Sequence, residues 1–377
     1  MLTDTSSVVE RQVLQGSHKK YIRGFDGLRA LSIIMVLIQH LGWLDSLSVK
    51  PRIQQQVNLL FSGGVGVNIF FVLSGFLITR ILLLEKRKTG SISFKNFYAR
   101  RFIRLLPPLI ILYLSITILK IIGMASFSWT ALLFSIFYVY NFIPNKFYSS
   151  DFLGHTWSLG VEEQFYLIWP FILAYFKKYV IHFASLIILI CFIVAIYIPY
   201  AAIPYHGKTY LLTALAKPYR WFFPAAAPIM IGALFSYFLF RNEQRMKIFF
   251  SDKIFIAITA ILFFLMPLFL PDIILFSSWF PIQYLQMCGV ALLLLWIYHN
   301  QSSKLSRLLE FKPWAYIGKI SYGLYVYQGF FLDNGPGGSL SVQGYPQNVF
   351  LTFAVSILSY ELYEKRLLKF KSKFSYS

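Results

Sequence analysis

Residues 179–199 read YVIHFASLIILICFIVAIYIP and contain no Asp, Glu, Lys or Arg. A helix of that length rises about 32 Å, which matches the hydrocarbon thickness of a bilayer. The run therefore predicts a membrane-spanning helix. Working outward from it, comparable apolar stretches occur at 25–44, 60–84, 102–122, 157–176, 219–240, 253–271, 278–298, 313–332 and 345–364. The expected fold class is all-α integral membrane, a single bundle of about ten transmembrane helices. Residues 127–143 are amphipathic and end at Pro144. They are expected to lie at the interface or to re-enter, rather than to form an eleventh span.

Composition points the same way. Only 13% of the 377 residues are charged and 57% are hydrophobic, whereas soluble domains carry about 25% charged residues. Aromatic residues reach 19%, which suits lipid-facing helices and interfacial belts. The net charge of +20 would suggest nucleic acid in a soluble chain. Here the cations sit between apolar runs, so they read as loop anchors, and no nucleic-acid partner is expected. Cys191 and Cys288 lie inside apolar runs. They form no metal-ligand spacing, and no metal is expected.

Positive charge also orients the chain. With the N-terminus inside, the inside segments hold 26 Lys and Arg and the outside segments 6, while Arg29, Lys120 and Lys319 fall within stretches. This bias predicts an even number of spans with both termini cytoplasmic, hence a multi-pass inner-membrane protein. Residues 1–24 are expected to form a cytoplasmic segment, 25–366 the membrane domain and 367–377 a basic cytoplasmic tail. Residues 1–20 are polar, without the apolar core of a cleavable signal, so the first stretch is expected to direct insertion.

Ionisable groups inside apolar stretches are costly and become candidates for function. The first stretch holds Arg29 and His40. They are eleven residues apart, so they share a helix face and are separated by about 16 Å along the axis. The fourth stretch carries Glu162 and Glu163, at a depth similar to that of His40. A carboxylate at that depth can orient an imidazole acting as a general base. Arg100, Arg101 and Arg104 open the third stretch. Their i,i+3 and i,i+4 spacings let them converge on a polyanion, and guanidinium suits bidentate phosphate recognition. Each residue also admits a plainer reading. Arg29 can snorkel to headgroups, His40 can join two helices through a hydrogen bond, and the trio can anchor topology. His155, His182, His206 and His299 lie near stretch ends or in loops and receive no role.

Four motifs in order resemble acyltransferase family 3, the membrane proteins that O-acetylate bacterial surface polysaccharides. They are Phe25-Asp26-Gly27-Leu28-Arg29 through His40, Gly66–Ile78, Phe97–Pro107 and His155–Tyr166. The resemblance covers nearly the whole chain. It implies a cytosolic acyl-CoA donor, with acetyl-CoA expected, and an acceptor hydroxyl on a carbohydrate such as an envelope polysaccharide. It implies His40 as the essential residue and Arg29, Arg100, Arg101 and Arg104 as the donor-binding positions. Three departures stand out. Asn68 replaces a common Asp, Gln328 replaces a frequent His, and Glu364 lacks the usual following Pro. Some relatives carry an appended hydrolase-like domain. None is seen here, so transfer is expected to finish within the membrane domain.

On this reading the thioester threads from the arginine trio toward His40, which requires one continuous cavity. Glu162 or Glu163 orients the ring. Two alternatives are a related enzyme acting on a small molecule or lipid-linked sugar, and a transporter whose buried charges form a path.

Overall fold

The computed structural model describes residues 21–374 apart from 45, 47, 149–151, 202–216, 252, 269–279 and 333–339. Among these residues there is no β-strand, and the regular elements are helices. Each of the ten apolar stretches carries a helix. They are α1 (Phe25–His40), α3 (Gly63–Thr89), α4 (Phe94–Ile121), α6 (Thr156–Tyr175), α7 (Val180–Ala201), α8 (Ala227–Arg241), α10 (Ile254–Leu265), α11 (Phe280–His299), α12 (Lys312–Phe331) and α13 (Gln347–Leu358). Shorter helices intervene, among them α2 (Pro51–Phe61), α5 (Trp129–Ile136) and α9 (Glu243–Phe250). The chain closes with a π-turn at Ser359–Glu364, α14 (Lys365–Phe370) and a 3-10 turn at Lys371–Phe374.

Among the described residues, three runs are long and apolar enough to cross a bilayer unaided. They are Arg52–Thr89, Phe94–Ile121 and Lys177–Tyr197. The amphipathic stretch at 127–143 forms the 8-residue α5 followed by 3-10 turns, too short to cross at 1.5 Å per residue. Most of the first 24 residues, residues 202–216 with His206, and the last three residues lie outside the described set.

Helix ends follow local chemistry. Ser62 caps α3 by accepting the Val65 N–H, and Gly90 closes it in a left-handed conformation with φ of 80°. The last turn of α3 carries Lys86, Arg87 and Lys88, which complement the negative end of the helix dipole. Ser93 then caps α4 through the Asn96 N–H.

Burial separates centre from periphery. In the apolar window of the first run, 67% of residues are buried, against 28% for α4 and 22% for α7. α3 is therefore the central staff. On α4, Ile110, Leu114, Ile118 and Ile121 form an exposed stripe at helical spacing. An aliphatic stripe of that kind belongs against lipid tails.

Close packing around α3 depends on small residues. At its crossing with α8, a Cβ on Gly75 would strike the Ile229 carbonyl, and one on Gly232 would strike the Val72 carbonyl. Two backbones can approach this closely only where neither carries a side chain. The α3–α4 join is polar. Glu85 accepts from the Arg100 guanidinium at 2.9 Å and from the Ser93 backbone N–H at 2.9 Å, and both charged side chains are buried.

Three variants test this packing. Gly232→Leu forces rigid backbone apart and should lower the melting temperature in detergent, at a cost of about 1–3 kcal/mol. Gly64→Ala, whose Cβ would meet only the Ser62 hydroxyl at 3.7 Å, should melt like the parent. Glu85→Ala strands the Arg100 cation and should cost roughly 3–5 kcal/mol, read by the same melt. An unchanged melting temperature for Glu85→Ala would show that the ion pair does not hold α3 to α4.

Candidate active site

A cavity of about 850 Å³ lies between α1, α3, α4, α6 and α12. α3 supplies its longest wall. Val67, Phe70, Ser74, Leu77, Ile81, Leu84 and Lys88 line it at intervals of three or four, so they occupy one helix face. That face runs about 32 Å from Val67 to Lys88. The cavity is strongly polarised along it. Arg87, Lys88, Arg100, Arg101, Arg104, Arg29, Arg80 and Lys371 line it as cations, against the carboxylates of Asp26 and Glu162. The opposite end is walled by Val67, Phe70, Ser158 and Tyr325.

The cations are not equivalent. Arg29 pairs with Asp26 at 2.5 Å, one helical turn back on α1. Arg80 donates to the Tyr298 hydroxyl and lies 4.4 Å over that ring. Arg87 reaches Glu243 at 3.3 Å. Arg100 is held by Glu85 and donates to the Phe374 carbonyl. Arg101 instead rests over the rings of Tyr166 and Phe97, at 4.9 and 5.7 Å. Among the described residues, Arg101, Arg104 and Lys371 have no hydrogen-bond acceptor and no ion-pair partner. The expected trio therefore divides. Arg101 and Arg104 present unmatched charge to the cavity, while Arg100 is committed to the scaffold.

The glutamates also sort themselves. Glu162 lines the cavity and accepts from the Ser74 hydroxyl at 2.8 Å and the Tyr166 hydroxyl at 3.2 Å. Glu163 sits about 100° around the helix, with one buried carboxylate oxygen unpartnered among the described residues. Neither hydrogen-bonds to His40 among those residues. Tyr166 touches both Glu162 and Arg101, so these carboxylates belong with the arginines. Similar depth along two helices did not mean that the side chains faced one another.

His40 ends α1. Its level is set by the neighbouring contact, because Gly63 at the start of α3 packs on Gln39 and Val36. His40 thus stands about one turn, some 6 Å, beyond Val67. The lining from α1 stops at Arg29. The lining of the cavity thus stops short of His40, and the single continuous passage expected from the sequence is not seen among the described residues. Phe70 and Tyr325 wall this end of the cavity, edge to face with ring centroids 6.5 Å apart.

Beside this wall is His155, which the sequence reading left without a role. It is 5% exposed, and both ring nitrogens lack partners among the described residues. Its ring meets Tyr325 edge-on at 5.6 Å. The Tyr325 hydroxyl donates to the His155 carbonyl at 2.9 Å and pairs with the Ser158 hydroxyl at 2.6 Å. The ring also fills the space where Gly329 lacks a Cβ.

Sequence reasoning also missed Arg80, Asp26 and Lys371. Arg80 had a readable signal, since it lies within an apolar stretch. Asp26 had one too, since it sits three residues before Arg29. Lys371 had none, being one cation in a basic tail.

The chain matches the acyltransferase domain of family 3 over residues 22–361. It is 29% identical to the peptidoglycan O-acetyltransferase of Listeria monocytogenes over 335 residues, covering 82% of this chain and 49% of that protein. It is 37% identical over 172 residues to a Staphylococcus aureus protein provisionally named an O-acetyltransferase, covering 41% of this chain and 25% of that one. A Bacillus subtilis protein provisionally named a peptidoglycan O-acetyltransferase is 36% identical over 167 residues, with coverage of 41% and 24%. The chain thus spans about half the length of the Listeria protein, and its matches span about a quarter of the length of the other two. No solved structure matches it significantly. A family match that runs almost end to end, over the same helices that wall the cavity, establishes that the chain belongs to acyltransferase family 3.

Proposed function

We propose that this chain is a multi-pass inner-membrane O-acyltransferase, built as a bundle of ten spanning helices with both termini cytoplasmic. It moves an acyl group, acetyl in the first instance, from cytosolic acyl-CoA to a carbohydrate hydroxyl on the outer side. Peptidoglycan is the leading acceptor, because the Listeria relative bears that substrate in its name.

One observation carries the reading. The cavity concentrates unmatched cations at one end and runs about 32 Å along α3 to a ring-lined end. Coenzyme A has the complementary form, with phosphates at one end and a long thin arm to the thioester. Its phosphates would lie on Arg101 and Arg104, with Arg29 beside them. Its arm would follow the α3 face past Ser74 and Glu162. Glu162 and Tyr166 would hold the Arg101 guanidinium in place rather than orient His40.

His40 serves as the general base. The acceptor oxygen attacks the thioester carbonyl as its proton passes to the imidazole. The carbon–sulfur bond then breaks, and the coenzyme A thiolate leaves and takes a proton. For the carbonyl to reach His40, the Phe70 and Tyr325 rings must part. An acyl-histidine intermediate would use the same residues with the imidazole as nucleophile.

Purified protein in nanodiscs tests this with acetyl-CoA and a soluble glycan acceptor. His40→Ala should lower turnover at least a hundredfold with an unchanged melting temperature. Arg101→Gln and Arg104→Gln should each raise the KM for acetyl-CoA about tenfold or more. Arg100→Gln should chiefly lower the melting temperature. Undiminished transfer by His40→Ala would refute the catalytic assignment, and a wild-type protein that consumes no acetyl-CoA would leave a transporter as the better reading.

A further inference from the structure

The C-terminal tail lies across the basic end of the cavity. After α14 the chain turns at Lys371–Phe374 and packs on α4. The Phe374 carbonyl accepts from Arg100, which Glu85 holds from the other side. This places the Lys371 side chain in the cavity wall with Arg29, Arg101 and Arg104.

An ammonium group in such company is badly matched. Facing it are Arg29 with Asp26 on α1, and Arg100, Arg101 and Arg104 on α4. Arg87 and Lys88 of α3 and Glu162 of α6 share the same cavity. The nearby carboxylates have other partners. Asp26 is bound to Arg29, Glu85 to Arg100, and Glu162 to Ser74 and Tyr166. Burial, then the repulsion of Arg104, Arg101, Arg100 and Arg29, push the Lys371 ammonium down to about 7. A fold that delivers one more cation to this place gains nothing from it unless an anion arrives.

We propose that Lys371 is a donor-phosphate ligand, brought by the tail to complete with Arg101 and Arg104 a cradle for the phosphates of coenzyme A. This rests on the donor reading above and adds a residue from outside the helical bundle. Two consequences follow from the mismatch. Bound phosphate offsets the repulsion and returns Lys371 to its charged form. Binding therefore takes up a proton above pH 7, and affinity falls as pH rises from 7 toward 9. The phosphates themselves have finished titrating by about pH 7, since their second ionisation lies near 6.

Calorimetric titration of the full chain in phosphatidylcholine nanodiscs, with coenzyme A and with adenosine 3′,5′-bisphosphate, provides the test. Lys371→Gln should weaken binding of both about tenfold at pH 7 and flatten the decline between pH 7 and 9. Lys371→Arg should bind as tightly as the parent at pH 7 and should also lose the decline. Because Lys371→Arg keeps the charge, it separates ligand loss from misfolding. The inference is overturned if Lys371→Gln binds like the parent across this range while Arg101→Gln and Arg104→Gln bind weakly, an outcome that leaves the donor reading standing. A parent protein that binds neither probe overturns both.

Discussion

The Glu85–Arg100 ion pair is the joint on which the basic end of this molecule depends. It ties the central helix α3 to the peripheral helix α4 where the chain has just reversed through a short loop. Glu85 also takes the Ser93 N–H, so one carboxylate fixes both the turn and the start of the next helix. Once Arg100 is fixed, Arg101 and Arg104 have no freedom of azimuth. They lie one and four residues further along the same rigid rod and must present to the cavity. Arg100 also donates through its other terminal nitrogen to the Phe374 carbonyl and so places the tail. A buried pair is weak evidence for stability, because desolvating both partners is expensive. Its value here is positional, since it converts helix periodicity into a directed set of cations.

Much of this architecture was legible in the sequence, for an identifiable reason. A run such as 179–199 without a charge has few structural options, and each of the ten apolar stretches indeed carries a helix. Local periodicity also placed Arg101 and Arg104 on one face correctly. What could not be read was partnership between distant segments. Arg100 fits the trio by spacing, yet Glu85 lies fifteen residues earlier and claims it. Glu162 matched His40 in depth, but Tyr166, one turn away on its own helix, and Ser74 on α3 took its hydrogen bonds. Depth is a one-dimensional coordinate, and a bundle is assembled in the other two.

His155 illustrates a different limit. A histidine at the start of a helix is most simply a loop residue in sequence. In the fold its ring is enclosed behind Tyr325, against a glycine that leaves room for it, with neither nitrogen satisfied among the described residues. Burying a polar ring without partners costs free energy. That cost is tolerated beside the wall that closes the cavity, within electrostatic reach of His40. The two imidazoles therefore share one neighbourhood.

That wall bears on how the proposed chemistry can cross a membrane. In the proposed function a thioester and a glycan hydroxyl approach from opposite sides, and an open tunnel between them would admit water to the thioester and let ions leak. Phe70 and Tyr325 wall this end of the cavity with their rings, and Tyr325 is held by hydroxyl contacts to His155 and Ser158. The wall is thus fastened to the same helix start that holds the buried imidazole. Displacing Tyr325 breaks both contacts together. Under the proposed function, arrival of the donor arm at this end is the event that can compensate for those lost hydrogen bonds. On that proposal, access to His40 is coupled to occupancy of the cavity.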